Sequence, residues 1–302
     1  MKTPALTEII SGLEFPEGPI WLPDGSIIIV ELAAGTVSRI SPQGKKHIIA
    51  RPGGSPNGAA MGPDGHLYIC NSGGFSWERR DGLLWPGPQP ADYSGGRIER
   101  LNLDTGMVEV VYNSCGDHPL KGPNDLVFDK HGGFYFTDHG KRRERDLDSG
   151  GLYYAKADGS LIRELVFPMS TPNGVALSPD GKRVYAAETD TGRLWAYDIS
   201  APGVIERPAP LGGHVLEGRP GFNSFDSMAV EANGNICVAS LFIGGIKVFS
   251  PDGKFVEFVP LPDPLCTNIC FGGTDLKTVY ITLSGTGRLV SMPWPRAGLK
   301  LN

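Results

Sequence analysis

Six times along the chain a polar residue is followed seven positions later by a turn residue and then by a short β-branched or aromatic run. Glu17 leads to Asp24 and IIIV, Asn57 to Asp64 and LYIC, and Asn124 to His131 and FYFT. Asn173 leads to Asp180 and VYAA, Asp226 to Asn233 and ICVA, and Asn268 to Asp275 and VYIT. The turns read PDG at 23–25, 63–65 and 179–181, where Pro sets φ and Gly supplies the positive φ of a tight hairpin. A third apolar strand follows each hairpin and opens on glycine, at Gly35, Gly95, Gly150, Gly192, Gly244 and Gly287. A fourth strand is visible as HIIA, MVEVVY, IRELVF and FVEFVP, and the sixth unit has no room for one before Asn302. The segment ALTEII at 5–10 is an orphan strand that can complete that last unit. Radial repetition of four-stranded units predicts an all-β, six-bladed β-propeller, one domain over residues 1–302, with the N-terminal strand closing the last blade.

Composition sharpens this picture in three places. The 42 glycines and 26 prolines are spread along the chain as turn formers, which suits many short strands rather than a flexible linker. A net charge of -5 gives no basic footprint, so nucleic acid and membrane partners are not expected. No window approaches the ~20 apolar residues of a membrane span, and residues 1–10 lack the basic-then-apolar order of a secretion signal, so a cytoplasmic protein is expected, monomeric or a small homo-oligomer. Five cysteines without a CxxC pattern read as reduced thiols.

In a propeller the first strand of each blade lies nearest the axis, so the six leading polar residues form a ring at one mouth of the channel. The second strand runs back, and its end returns Glu31, Asn71, Asp138 with His139, Glu188, Ser240 and Ser284 to the same mouth. Glu17 and Asp226 bring two carboxylates to that narrow space, with amide oxygens from Asn173, Asn124 and Asn57. Burying two carboxylates together costs several kcal/mol unless a cation or a proton neutralises them. An oxygen-only set suits a hard divalent ion, Ca2+ first, with Mg2+, Mn2+, Zn2+ and Fe2+ open; no His or Cys cluster supports a closed zinc site.

The same residues carry a resemblance. FPEGPIW at 15–21, GPND at 122–125, TPNGVALSPDG at 171–181 and FDSMAVEANGN at 225–235 resemble the senescence-marker-protein, gluconolactonase and luciferin-regenerating-enzyme family over nearly the whole chain. The resemblance implies a six-bladed propeller holding a divalent cation and hydrolysing lactones. Position by position it implies Glu17, Asn173 and Asp226 as metal ligands, and Asn124 as a contact to metal or substrate. FYFTDHG at 134–140 is more similar to the bacterial lactonase branch. Animal sugar lactonases carry an arginine two residues before the match to Asn124, where this chain has Gly122. Related organophosphate-hydrolysing propellers share one Glu, two Asn and one Asp, so ligands alone do not separate lactones from phosphotriesters.

For opening a cyclic ester the candidate catalytic residues are Asp226 as general base, with Asp138 and His139 as rivals that have no metal to lower their basicity. Candidate substrate contacts are Asn124, Asn57 and Trp77. Trp77 belongs to a long insertion, residues 72–94, where a lid is expected; its Arg79 and Arg80 are either surface residues or partners for a substrate carboxylate. Two further loops, 113–122 and 212–223, precede Asn124 and Asp226 and are expected to shape the pocket. No GxSxG elbow is present, which argues against a seryl nucleophile. Three readings follow: a lactone hydrolase, a phosphotriesterase at the same metal, and a non-enzymatic binding propeller.

Overall fold

The computed structural model describes residues 5–206, 212–218 and 223–301. Among the described residues, six antiparallel sheets of four or five strands stand around one axis, and two two-stranded hairpins lie outside them. Blade 1 runs Pro16–Trp21, Ile27–Glu31, Thr36–Ile40 and Lys46–Ala50 from the axis outward. The innermost strands of blades 2 to 6 are Pro56–Met61, Pro123–Phe128, Pro172–Leu177, Phe225–Val230 and Cys266–Gly272. Blade 6 is closed by Thr7–Ile10, which pairs antiparallel with Arg288–Pro293, as the orphan segment predicts.

The second strands read as unbroken apolar runs because both of their faces are buried. Successive side chains alternate, so Ile28 and Val30 pack against Leu67 and Ile69 of blade 2, while Ile27 and Ile29 pack toward Leu289 of blade 6. The same alternation sends Tyr68 and Cys70 to blade 3 and Tyr135 to blade 4. Six apolar clusters result, one between each pair of neighbouring blades. The hairpin turns follow their residues: Gly25, Gly65 and Gly181 take φ of 83°, 77° and 69°. Asp24, Asp64 and Asp180 each accept the backbone N–H two residues on.

One expectation is corrected. Within the expected loop 212–223, His214–Glu217 forms an outer strand that pairs with Leu194–Ala201 of blade 4. His214 therefore lies exposed on the outer edge of blade 4, Glu217 is buried beside Leu194, and Arg219 lies outside the described residues. All five cysteines are free thiols, with Cys70, Cys237 and Cys266 buried. No helix among the described residues is long and apolar enough to cross a membrane.

Candidate functional site

Each ring residue sits where its strand breaks register with the next. The pairing shifts between Glu17 and Ile20, Pro56 and Ala59, Pro123 and Leu126, Pro172 and Val175, Phe225 and Met228, and Cys266 and Asn268. An extra residue at a bulge re-aims its side chain, here toward the axis. Proline stands before the ring residue in four blades and withholds the N–H that would continue the ladder. Glycine follows it in three. A Cβ on Gly18 would stand 2.8 Å from the Asn57 carbonyl oxygen, one on Gly58 2.5 Å from that of Asn124, and one on Gly174 2.7 Å from that of Asp226. These approaches let neighbouring inner strands close the ring. Gly58→Ala is therefore expected to cost about 1–3 kcal/mol by overpacking and to weaken cation binding at the ring, checked by thermal unfolding with and without Ca2+.

Within the ring the polar groups are unevenly satisfied. Glu17 is buried, and its Oε2 accepts Gly18 N at 2.8 Å and Asn268 Nδ2 at 2.7 Å. Burial still raises its carboxyl above the ordinary range. Burial and the charge of Glu17 push the Asp226 carboxyl well up, although Ser227 N donates to its Oδ1 at 3.0 Å. Burial and the same charge push Asp125, beside Asn124, up to about 7. The Asn173 amide is fixed in one sense, its Nδ2 donating to Thr189 Oγ1 at 3.1 Å, and Thr189 donating on to the Phe225 carbonyl at 2.8 Å. That leaves Asn173 Oδ1 buried without a hydrogen-bond partner, and Asn124 Oδ1 is orphaned in the same way. Two unpartnered amide oxygens beside two carboxylates that repel each other are what an oxygen-ligated divalent cation satisfies. The residues present fit such an ion. Among the described residues no three His, Cys, Asp or Glu side chains gather as a metal-holding group, so the fit rests on amides as much as on acids.

Asn57 and Asp138 are both buried at this mouth. The Asp138 carboxylate accepts Lys121 N and Gly122 N at 2.7 Å each and Gly140 N at 2.9 Å. Glu31 accepts Glu14 N, Asn71 accepts Ser55 N, and Glu188 accepts Ser170 N in the equivalent places. In blades 1 to 4 the polar end of the second strand thus grips the loop that delivers the ring residue. Asp138 holds its loop in this way, and burial raises its carboxyl above the ordinary range although three backbone N–H groups donate to it. His139 follows it, half-buried, with its N–H on the Gly122 carbonyl. Thr189 makes the matching bond to Thr171, so His139 occupies in blade 3 the position from which Thr189 reaches Asn173. Burial, reinforced by the charge of Lys141, lowers the His139 imidazole to about 4, and it is neutral at physiological pH.

The insertion 72–94 is a hairpin, Trp77–Arg80 with Leu83–Pro86, that crosses the mouth. Trp77 lies 5.0 Å from the ring of Phe15, two residues before Glu17. Leu84 N donates to the Gly285 carbonyl of blade 6, and Trp85 stacks on Phe242 of blade 5, three blades from the hairpin's origin. Arg79 pairs with Glu14, and Arg80 lies over Trp85 at 5.0 Å, so both serve the hairpin itself. In the loop 113–122, His118 is exposed and Lys121 offers its N–H to Asp138. Asn268 and Thr189 also belong to the site. Asn268 was visible as the sixth aligned polar position; nothing marks Thr189 except its place one residue after Glu188.

The chain is 26% identical to a gluconolactonase of Zymomonas mobilis, covering 91% of this chain and 78% of that protein. It is 28% identical to lactonase drp35 of Staphylococcus saprophyticus, covering 82% of this chain and 69% of that protein. A crystal structure described as a calcium-binding protein, regucalcin, from Agrobacterium tumefaciens superposes with a TM-score of 0.76 at 18% identity, covering 98% of this chain and 95% of that one, which shows a shared fold. Residues 15–285 match the family model described as the SMP-30/Gluconolactonase/LRE-like region, from two residues before Glu17 through the last strand end at the mouth. With the ring, its bulges and the blade order all inside that match, the chain belongs to the SMP-30/gluconolactonase/LRE-like family.

Proposed function

We propose that this protein is a divalent-cation-dependent hydrolase that opens a lactone ring at the lidded mouth of the channel. The observation that carries the reading is the pair of orphaned oxygens, Asn124 Oδ1 and Asn173 Oδ1, beside the repelling carboxylates of Glu17 and Asp226. Gluconolactonase and lactonase relatives support the substrate class. The four residues hold the cation, and the oxygen-only donors together with a fold neighbour described as calcium-binding favour Ca2+.

Bound there, a divalent cation supplies Lewis acidity toward an ester carbonyl. The rest falls to the chain. Asn268 and Gly18 hold Glu17 Oε2, and Thr189 turns the Asn173 oxygen inward. Ser227 N engages Oδ1 of Asp226, so Oδ2 is the atom that takes a proton from water as its oxygen bonds to the acyl carbon. That proton then passes to the ring oxygen as the acyl carbon–oxygen bond breaks, which releases a hydroxy acid. His139, neutral at the mouth, and Asn57 orient the substrate. The lid keeps bulk water from competing.

The test is turnover by the Ca2+-loaded protein on gluconolactone, xylonolactone, γ-butyrolactone and dihydrocoumarin, beside the phosphotriester paraoxon. At least one lactone is expected to turn over faster than paraoxon. Turnover of paraoxon alone would assign the site to phosphotriesters, and turnover of neither would favour a binding propeller.

A further inference from the structure

Lys141 is 1% exposed, yet no carboxylate among the described residues lies within ion-pair distance of it. A buried ammonium in that state costs several kcal/mol. Its Nζ donates to the Gly74 carbonyl at 2.6 Å and stands 3.7 Å from the centre of the Phe75 ring and 5.6 Å from that of Tyr93. Gly74 and Phe75 are the root of the lid hairpin, whereas Lys141 belongs to blade 3, next to the turn that Asp138 holds. From Phe75 the contacts continue to Trp77, at 6.0 Å between ring centres, and from Trp77 to Phe15 beside Glu17. One chain of contacts therefore runs from Lys141 across the lid root to the residue that leads into the ring. Beside the ring Gly122 leaves no room for a side chain: a Cβ there would meet the Gly140 carbonyl oxygen at 2.6 Å and Lys141 Cε at 3.5 Å.

We propose that Lys141 is a positioning residue that pins the lid root, so that Phe75, Trp77 and Phe15 form an apolar wall over the ring and select lactones bearing an apolar or ring-fused substituent. This rests on the hydrolase reading for its substrate half only; the pinning is a statement about the lid. Its Nζ donates to the Gly74 carbonyl under the Phe75 face, and burial lowers the ammonium to about 7 against the opposing charge of Asp138, so the hydrogen bond serves in either protonation state and the cation–π contact adds to it below that pH. Because it touches the lid and not the ring, its loss acts on substrate binding before it acts on the chemical step.

Two readouts test it. In Lys141→Met, KM for dihydrocoumarin is expected to rise about tenfold with kcat within about threefold, and the preference over gluconolactone to shrink. Trypsin cleavage at the exposed Arg79–Arg80 tip of the hairpin is expected to accelerate about tenfold, while the Ca2+-induced rise in Tm stays as in the wild type. Phe75→Leu, which removes the cap from the other side, is expected to reproduce both changes and keeps the test open if Lys141→Met does not fold. Unchanged cleavage and unchanged KM in both variants would overturn the proposal. So would loss of the Ca2+ response, which would place Lys141 in the ring's support. If the wild type turns over no lactone, the cleavage rates still decide the pinning, and only the hydrolase reading and the substrate half fail.

Discussion

Asp226→Asn is expected to lower kcat/KM for the preferred lactone by about 10³-fold or more, a loss of about 4 kcal/mol in transition-state stabilisation. The substitution is nearly isosteric and keeps an oxygen for the Ser227 N–H, so the ring retains its shape. What disappears is the proton acceptor and half of the negative charge at the mouth. The same variant has a second consequence of opposite sign. In the cation-free protein burial, and then the charge of Glu17, raises the Asp226 carboxyl well above its usual range, so ionising it there is costly. Replacing it with a neutral amide removes that cost of burying charge, so Tm in chelator is expected to rise by a few degrees while Tm in Ca2+ falls below that of the wild type. Steady-state kinetics at saturating cation and thermal scans in both buffers check the pair. A merely structural Asp226 would lower Tm in both and leave most of the activity.

Removing the cation is the other large effect. The wild type in chelator is expected to lose all measurable lactone turnover. Returning Ca2+ at 100 times its dissociation constant is expected to stabilise the fold by about 2.7 kcal/mol. For a chain of this length that corresponds to a rise in Tm of roughly 5 °C. Glu17→Gln is expected to abolish most of this rise, because it removes one of the two charges on which the affinity depends. Its amide can still accept the Gly18 N–H that Glu17 Oε2 accepts, so a general loss of folding is not the expected cause. Differential scanning calorimetry of both proteins over a Ca2+ series reads the effect directly.

Much of the architecture was legible because the propeller repeats one local rule. A polar residue, a turn seven positions on and a doubly buried strand recur in register, and alternation within IIIV or LYIC sends side chains to two neighbouring blades at once. The missing strand of the last unit also identified the closing role of Thr7–Ile10. The outer strand of blade 4 was not legible: His214–Glu217 is short, mostly exposed and reached only after a long excursion, so it lacks the two-sided apolar signature. The contacts of Asp138 were not legible for a related reason. A carboxylate at a strand end looks the same in sequence whether it faces substrate or gathers three backbone N–H groups, and only the path of residues 121–122 and 140 decides. Thr189 and Lys141 act on partners distant in sequence, Phe225 and Gly74, and no local pattern announces such contacts.

The central claim is that one divalent cation, held by Glu17, Asn124, Asn173 and Asp226, is required to open a lactone. The most direct measurement is lactone turnover by metal-stripped protein as Ca2+ is added in sub-stoichiometric steps at a protein concentration far above the dissociation constant. The account predicts activity that rises linearly from zero and breaks at one ion per chain, with no restoration in Asp226→Asn. Full turnover in the stripped protein, or one ion bound per chain with no change in turnover, would contradict it.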